Sequence, residues 1–250
     1  MSVFRWDASR FLKSYDRNVD KGVPCYVIIV LNQPITRRNG VLELLWKQSL
    51  LKMCADGGAN RIYDTFVGSD KLSEYTPDYI CGDNDSLRDD VREYYLSKGT
   101  IIINNPDQES TDLMKCIEVI RRRENDNPKY DVIALGAIGG RFDHSMSNIH
   151  YLHKLKDERR IYLLSDVNMT FLLDKGIHHI QCDSEIEGPT CGILPIGISE
   201  AIISTTGLRW NLSSARTAFG QMISTSNIID SHEITIETDQ PLIWTVELKV

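Results

Sequence analysis

Between residues 25 and 165 the apolar positions fall in short unbroken runs: "CYVIIVL" (25–31), "LLKMCA" (50–55), "DYICG" (78–82), "TIIIN" (100–104), "DVIALG" (131–136) and "RIYLLS" (160–165). Continuous rather than alternating hydrophobicity is the pattern of strands covered on both faces. The stretches between them repeat at helical spacing. "SLRDDVREYYLSKG" offers Ser86 as N-cap, acids in its first turn and Gly99 as its stop. "STDLMKCIEVIRRR" has Ser110 or Thr111 as cap and apolar residues at 113, 114, 117 and 120, and "DHSMSNIHYLHKL" runs from 143 to 155. Strands alternating with helices predict an α/β domain with a mainly parallel sheet flanked by helices.

Beyond about residue 175 the helical period disappears. "GIHHIQC", "TCGILPIG", "AIISTTG", "LRWNL", "EITIETD" and "PLIWTVELKV" read as short strands, and "ITIET" and "IWTVELKV" alternate apolar with polar. Alternation marks strands with one wet face and predicts a small antiparallel β-sandwich. The expected organisation is an N-terminal arm or lead-in helix (1–24), an α/β domain (25–175) and the sandwich (176–250).

Composition narrows the class. A net charge of -7 argues against a nucleic-acid surface, and "RRR" at 121–123 is followed at once by acids, as at a solvated helix end. No run approaches the roughly 20 apolar residues of a membrane helix, and the N-terminus lacks a signal-like apolar core. Six scattered cysteines without a C-x-x-C pair suit reduced thiols, so a cytoplasmic protein is expected. His150 and His153 share a helix face, where surface placement is expected.

Ligands of open parallel sheets bind beyond the carboxyl ends of the strands, and the unusual residues crowd there. "ADGGANR" (55–61) places two glycines after Asp56; "GDNDS" (82–86) carries Asp83 and Asp85; "NNPDQESTD" (104–112) carries Asp107 and Asp112; "GAIGGRFDH" covers 136–144. A single acid at a strand exit is more often a turn or cap residue than a ligand, but acids or glycine pairs at four successive exits are much harder to read as loop chemistry. In an extended segment Asp83 and Asp85 point to one side, where hard oxygens suit Mg²⁺, with Asp112 able to close the cluster. Gly139, Gly140 and Arg141 ahead of a helix near Asp143 suit phosphate, although helix entry alone would also explain them. Neither a G-x-x-x-x-G-K-[ST] loop nor a dinucleotide fingerprint after the first strand is present. Trp210 reads either as a core anchor or as a flat platform for a cationic or heteroaromatic ring.

In order, "ADGGANR", "GDNDS", "PDQESTD", "GGRFDH", "TTGLRWNL" and "STSN" make the chain from about Cys25 onward resemble the thiamine pyrophosphokinase family. The resemblance implies pyrophosphate transfer from ATP to the hydroxyl of thiamine, giving thiamine diphosphate and AMP. It implies Mg²⁺ and ATP in the α/β domain, thiamine on the sandwich, and a homodimer with sites at the subunit interface. Carried over, Asp83, Asp85 and Asp112 handle metal and phosphate with Asp56 beside them, and all four are expected as catalytic acids. Gln108, Thr111, Lys115 and the stretch Gly139, Gly140, Arg141, Phe142 and Asp143 line the ATP site, Gln108 being shared with thiamine. Trp210 packs on thiamine, with Ser224, Ser226 and Asn227 near its pyrimidine. Asn84 departs from the family, which more often has an apolar residue there; an effect on packing rather than chemistry is expected. The same acids would serve transfer to another hydroxymethyl heterocycle such as a pterin, and Trp210 argues for thiamine.

Overall fold

The computed structural model describes residues 1–15, 23–35, 39–124 and 129–249. The chain opens with strand β1 (Val3–Asp7), where an arm or lead-in helix is expected from sequence. The apolar runs that follow become strands: β2 (Tyr26–Val30), β3 (Leu51–Ala55), β4 (Tyr79–Gly82), β5 (Ile101–Asn104), β6 (Asp131–Leu135) and β7 (Ile161–Leu164). Between them lie α1 (Asn39–Gln48), α2 (Gly58–Phe66), α3 (Asp89–Ser97), α4 (Asp112–Glu124) and α5 (Phe142–Lys154). The chain forms two compact units, one of Arg17–Asn148 with Glu158–Asp166, the other of Met1–Asp16, Ile149–Asp157 and Val167–Val250. No helix among the described residues is long and apolar enough to cross a membrane.

In the first of these units the strands are parallel in the order β7-β6-β2-β3-β4-β5. Every residue of β2 is buried, as its unbroken apolar run requires. β5 departs from that expectation. It is the last strand on its side, with one neighbour, and Ile101 is left about half exposed. α4 buries Leu113, Cys116, Ile117 and Ile120 and packs on β3 and β4. Its last residue, Glu124, makes a buried two-pronged pair with Arg159 (2.9 Å for each arm), which ties the helix end to the start of β7. α3 starts at Asp89, not at Ser86, which is used elsewhere. β2 connects onward to β3 on one side and β6 to β7 on the other, so the two connections part and a crevice opens beyond the carboxyl ends of β2 and β6.

The second unit contains β8 (Asn168–Leu173), β9 (Gly176–Gln181), β10 (Glu187–Leu194), β11 (Ala201–Thr206), β12 (Ala215–Thr217), β13 (Ser224–Ile228), β14 (Glu233–Thr238) and β15 (Leu242–Leu248). They pair as β13-β10-β15-β8 and β1-β9-β14-β11-β12, antiparallel except for β1 on β9. Alternation is strict in β14, whose Ile234 and Ile236 are fully buried while Glu233 and Glu237 face water. "LRWNL" is not a strand: apart from one isolated bridge at Leu208 it forms turns, because Asn211 bonds the Leu208 amide and carbonyl (3.1 and 2.7 Å). His153 is half-buried rather than on the surface, packed against Gly197.

β1 is held by aromatic chemistry. His178 Nε2 donates to the Asp174 carbonyl (2.6 Å), which leaves Nδ1 to accept from Trp6 Nε1 (3.0 Å). The Trp6 ring stacks on Phe171 with centroids 4.7 Å apart, joining the two sheets of this unit. Trp6→Ala should therefore destabilise this unit by about 3–5 kcal/mol, and Trp6→Phe, which keeps the stack, by only about 1–2 kcal/mol. Urea unfolding followed by circular dichroism measures both; equal losses would show that the hydrogen bond, not the stack, holds β1.

Candidate active site

The exits of β3 and β4 bring three carboxylates together: one oxygen each from Asp56, Asp83 and Asp85 lies within 4.8 Å of the others. Asp83 and Asp85 do not converge by extended alternation, as the sequence suggests. Asn84 between them is left-handed (φ 62°), and the Asp85 amide donates to Asp83 Oδ1 (3.3 Å). Asparagine tolerates that backbone region better than most residues, so the backbone turn accounts for Asn84.

Asp56 is almost fully buried and also left-handed (φ 44°). Ser86 donates its amide to Asp56 Oδ2 (3.2 Å) and its hydroxyl to Asp85 Oδ1 (3.0 Å). Asp56 Oδ1 is buried and has no hydrogen-bond partner. Glycine at 82 is obligatory here, because a Cβ would lie 2.7 Å from the Asp56 Cβ and 3.2 Å from Asp112 Oδ1.

Asp112, the first residue of α4, faces Lys115 (Nζ to Oδ1, 3.1 Å), and the same ammonium lies 3.6 Å from Asp83 Oδ2. Lys115 is only 3% exposed. Gln108 donates to Asp83 Oδ2 (3.2 Å), Thr111 Oγ1 accepts from the Met114 amide (3.5 Å) at the start of α4, and Asp107 is taken up by the Ser110 hydroxyl. The structure thus gathers Asp56, Asp83 and Asp85 into one triad, with Asp112 joined to it through Lys115.

The titration behaviour reports a surplus of negative charge. Burial, followed by the Asp112 charge, pushes the Asp56 carboxyl up to about 6. Burial also raises Asp112, and Asp83 and Asp85 add to this against the pull of Lys115. Burial opposes the charge on Lys115 too, but Asp112 and Asp83 outweigh it and hold the ammonium above its usual range. Burial works against ionised Asp83, yet the Asp85 amide, Gln108 and Lys115 together keep it below the ordinary carboxylate range. Hard oxygen donors with one buried oxygen unsatisfied fit a divalent cation.

These groups line a cavity of about 570 Å³ that also reaches Asn32 and Gln33 after β2, and Gly136, Gly139, Arg141, His144 and Asn148. Arg141 is engaged by Asp143 (2.6 Å), and Phe142 is three-quarters exposed. Asn32, Gln33, Ser86, Ser145 and Asn148 are absent from the set expected by sequence. The exit of β2 at the divergence of the sheet is the signal that points to the first two; Ser145 and Asn148 lie inside an ordinary helical pattern.

In the other unit, Trp210 is 58% exposed. Asn227 is buried and clamps the Trp210 backbone from both sides, accepting from its amide (3.2 Å) and donating to its carbonyl (2.9 Å). Asn227 Nδ2 also reaches Ser224 Oγ (3.3 Å), and Ser226 is left-handed (φ 56°) and exposed. Trp210 is thus an outward ring on a clamped backbone and not a core anchor.

An acid cluster able to hold a divalent cation beyond the strand exits of a parallel sheet, in a chain that also carries an antiparallel sandwich, suits the class of enzymes that act on phosphate groups. Residues 42–164 match the pattern of the thiamin pyrophosphokinase catalytic domain, and 177–243 that of its vitamin B1 binding domain. The chain is 42% identical to thiamine pyrophosphokinase 1 of Arabidopsis thaliana, covering 90% of this chain and 86% of the relative. It is 45% identical to thiamine pyrophosphokinase 3 of Oryza sativa subsp. japonica, covering 90% and 87%. The thiamin pyrophosphokinase structure from Candida albicans superposes with a TM-score of 0.84 at 26% identity, over 99% of this chain and 93% of that one. This chain belongs to the thiamine pyrophosphokinase family.

Asp56 is harder to ionise in the fold than in the unfolded chain. It therefore costs stability increasingly as pH rises from about 4 through about 6, and a constant amount above. Without divalent ions, Asp56→Asn should melt higher than the wild type at pH 7.5, and the gap should close as pH falls to about 4. Calorimetry across that range checks this; a gap independent of pH would show that Asp56 is not strained by its charge.

Proposed function

We propose that this chain catalyses transfer of the pyrophosphoryl group of ATP to the hydroxyl of thiamine, yielding thiamine diphosphate and AMP, with Mg²⁺ as cofactor. The observation that carries the reading is the unsatisfied Asp56 oxygen within the Asp56–Asp83–Asp85 triad, set in a cavity that ends at a glycine-rich loop. Asp56, Asp83 and Asp85 would hold Mg²⁺, which when bound neutralises charge on the triphosphate. Lys115, paired with both Asp83 and Asp112, would restrain the two carboxylates. Asp112, with its carboxyl raised by burial, accepts the thiamine hydroxyl proton as that oxygen attacks the β-phosphorus in line with departing AMP. Gln108 and Thr111 border the reacting groups, and Gly139, Gly140, Arg141, Phe142 and Asp143 receive the nucleotide. Little covalent work is asked of the protein; positioning and charge compensation supply the acceleration.

For thiamine, Trp210 offers its exposed face to the cationic ring system, with Ser224 and Ser226 beside it and Asn227 acting through the Trp210 backbone. On this reading the Arg17–Asn148 unit is the ATP- and Mg²⁺-binding catalytic part, and the sandwich unit binds thiamine. We further propose a cytoplasmic homodimer with thiamine sites at the subunit interface; the five buried cysteines carried as free thiols suit a reducing compartment.

Incubation with Mg-ATP and thiamine should release AMP and thiamine diphosphate. ADP with thiamine monophosphate would place the attack on the γ-phosphorus and overturn the reading. Asp83→Asn and Asp85→Asn should each lower kcat by at least about 10²-fold with the fold retained by circular dichroism; near-normal turnover would remove the triad from the chemistry. Trp210→Ala should raise KM for thiamine by about tenfold or more while KM for ATP changes little, and equal changes would exclude the platform.

A further inference from the structure

The loop from Gly136 to Arg141 has its own support on α5. Ser145 and Asn148 lie one turn apart on that helix, and both are buried. Ser145 Oγ accepts from the Gly139 amide (3.1 Å) and donates to the Gly139 carbonyl (3.3 Å). Asn148 Nδ2 donates to the Ala137 carbonyl (2.7 Å). On the other side, Gln33 closes over Gly140 (φ 61°): a Cβ there would lie 2.4 Å from both Gln33 amide atoms. The Gly136 and Ala137 amides are used by the Leu164 carbonyl (2.9 and 3.0 Å). Among the described residues, the amides of Ile138, Gly140 and Arg141 have no protein acceptor.

We infer that Ser145 and Asn148 are positioning residues of the nucleotide site: they draw the Ala137 and Gly139 carbonyls onto α5, so that the loop presents the unpaired Arg141 amide, which borders the cavity, to the ATP phosphates. This rests on the reading that ATP is the pyrophosphoryl donor. The physical need is plain. A carbonyl oxygen facing a triphosphate repels it, whereas an unpaired amide attracts it, and glycine backbones can present either. A hydroxyl that bonds both the amide and the carbonyl of Gly139, and a carboxamide that bonds the Ala137 carbonyl, select one of these states before the nucleotide arrives. The ordering entropy is then not charged against nucleotide binding.

Steady-state kinetics of wild type, Ser145→Ala, Ser145→Thr and Asn148→Ala, with ATP and thiamine varied separately, tests this. Ser145→Ala and Asn148→Ala should each raise KM for ATP about tenfold, with kcat and KM for thiamine within about twofold of wild type. Ser145→Thr, which keeps the hydroxyl, should restore KM for ATP. Titration calorimetry with inorganic tripolyphosphate and Mg²⁺ should show the same weakening without nucleobase or ribose. If Ser145→Ala does not fold, Asn148→Ala alone carries the comparison. A fall confined to kcat, equal losses toward both substrates, or no rescue by threonine would overturn the assignment. Wild-type enzyme that forms no AMP would instead overturn the reading beneath it, independently of these variants.

Discussion

Asp83 and Asp112 flank the buried ammonium of Lys115, Asp56 and Asp85 stand against Asp83, and one cation does not balance the four carboxylates. The result is written in their titration: Asp56 and Asp112 are held above the ordinary carboxylate range even though Lys115 pulls the other way on Asp112. Such a cluster is unstable by its own electrostatics, and the fold restrains it by backbone. Asp56 is fixed in a left-handed conformation between the β3 exit and α2, Asp85 is folded back on Asp83 through Asn84, and Gly82 leaves the room that Asp56 fills. A site destabilised in this way is ready for a cation and a polyanion together.

The parallel sheet makes that restraint possible. Its strands place their exits at regular intervals, and the charged turns hang from a rigid, fully buried centre at β2. Acids follow β3 and β4, and the glycine loop follows β6, so β2 with Gln33 stands between the negative end of the crevice and the end formed by the glycine loop and Arg141. Opposite electrostatic characters in one cavity suit a ligand that is anionic at its phosphates and binds with a metal ion.

The sandwich unit solves a different problem, the presentation of a large apolar ring to solvent. Trp210 is exposed, and the buried Asn227 clamps its backbone, so the point from which the ring projects is fixed while its face stays open. An aromatic side chain has only two rotatable χ angles to order on binding, and here its backbone is already fixed. The same unit takes its first strand from the extreme N-terminus, locked by the Trp6–His178 bond and the Trp6–Phe171 stack.

Unbroken apolar runs and their helical spacers were enough to identify the parallel strands, because burial on both faces is written locally in each run. The acids and glycines at the exits, and the family motifs they compose, were equally visible, since each occupies a fixed offset from a strand. Other features arise only when distant segments meet. Val3–Asp7 carries too short a pattern to read as a strand, and becomes one because β9 offers a free edge and His178 offers a ring nitrogen. That Asp56 rather than Asp112 shares oxygens with Asp83 and Asp85 follows from two left-handed residues and from Lys115 reaching Asp112 first. Ser145 and Asn148 look like ordinary helix positions until the β6 loop lies against them. Strand identity is a property of neighbouring residues, whereas the grouping of charges depends on which exits the sheet order brings side by side and on the backbone angles at those exits.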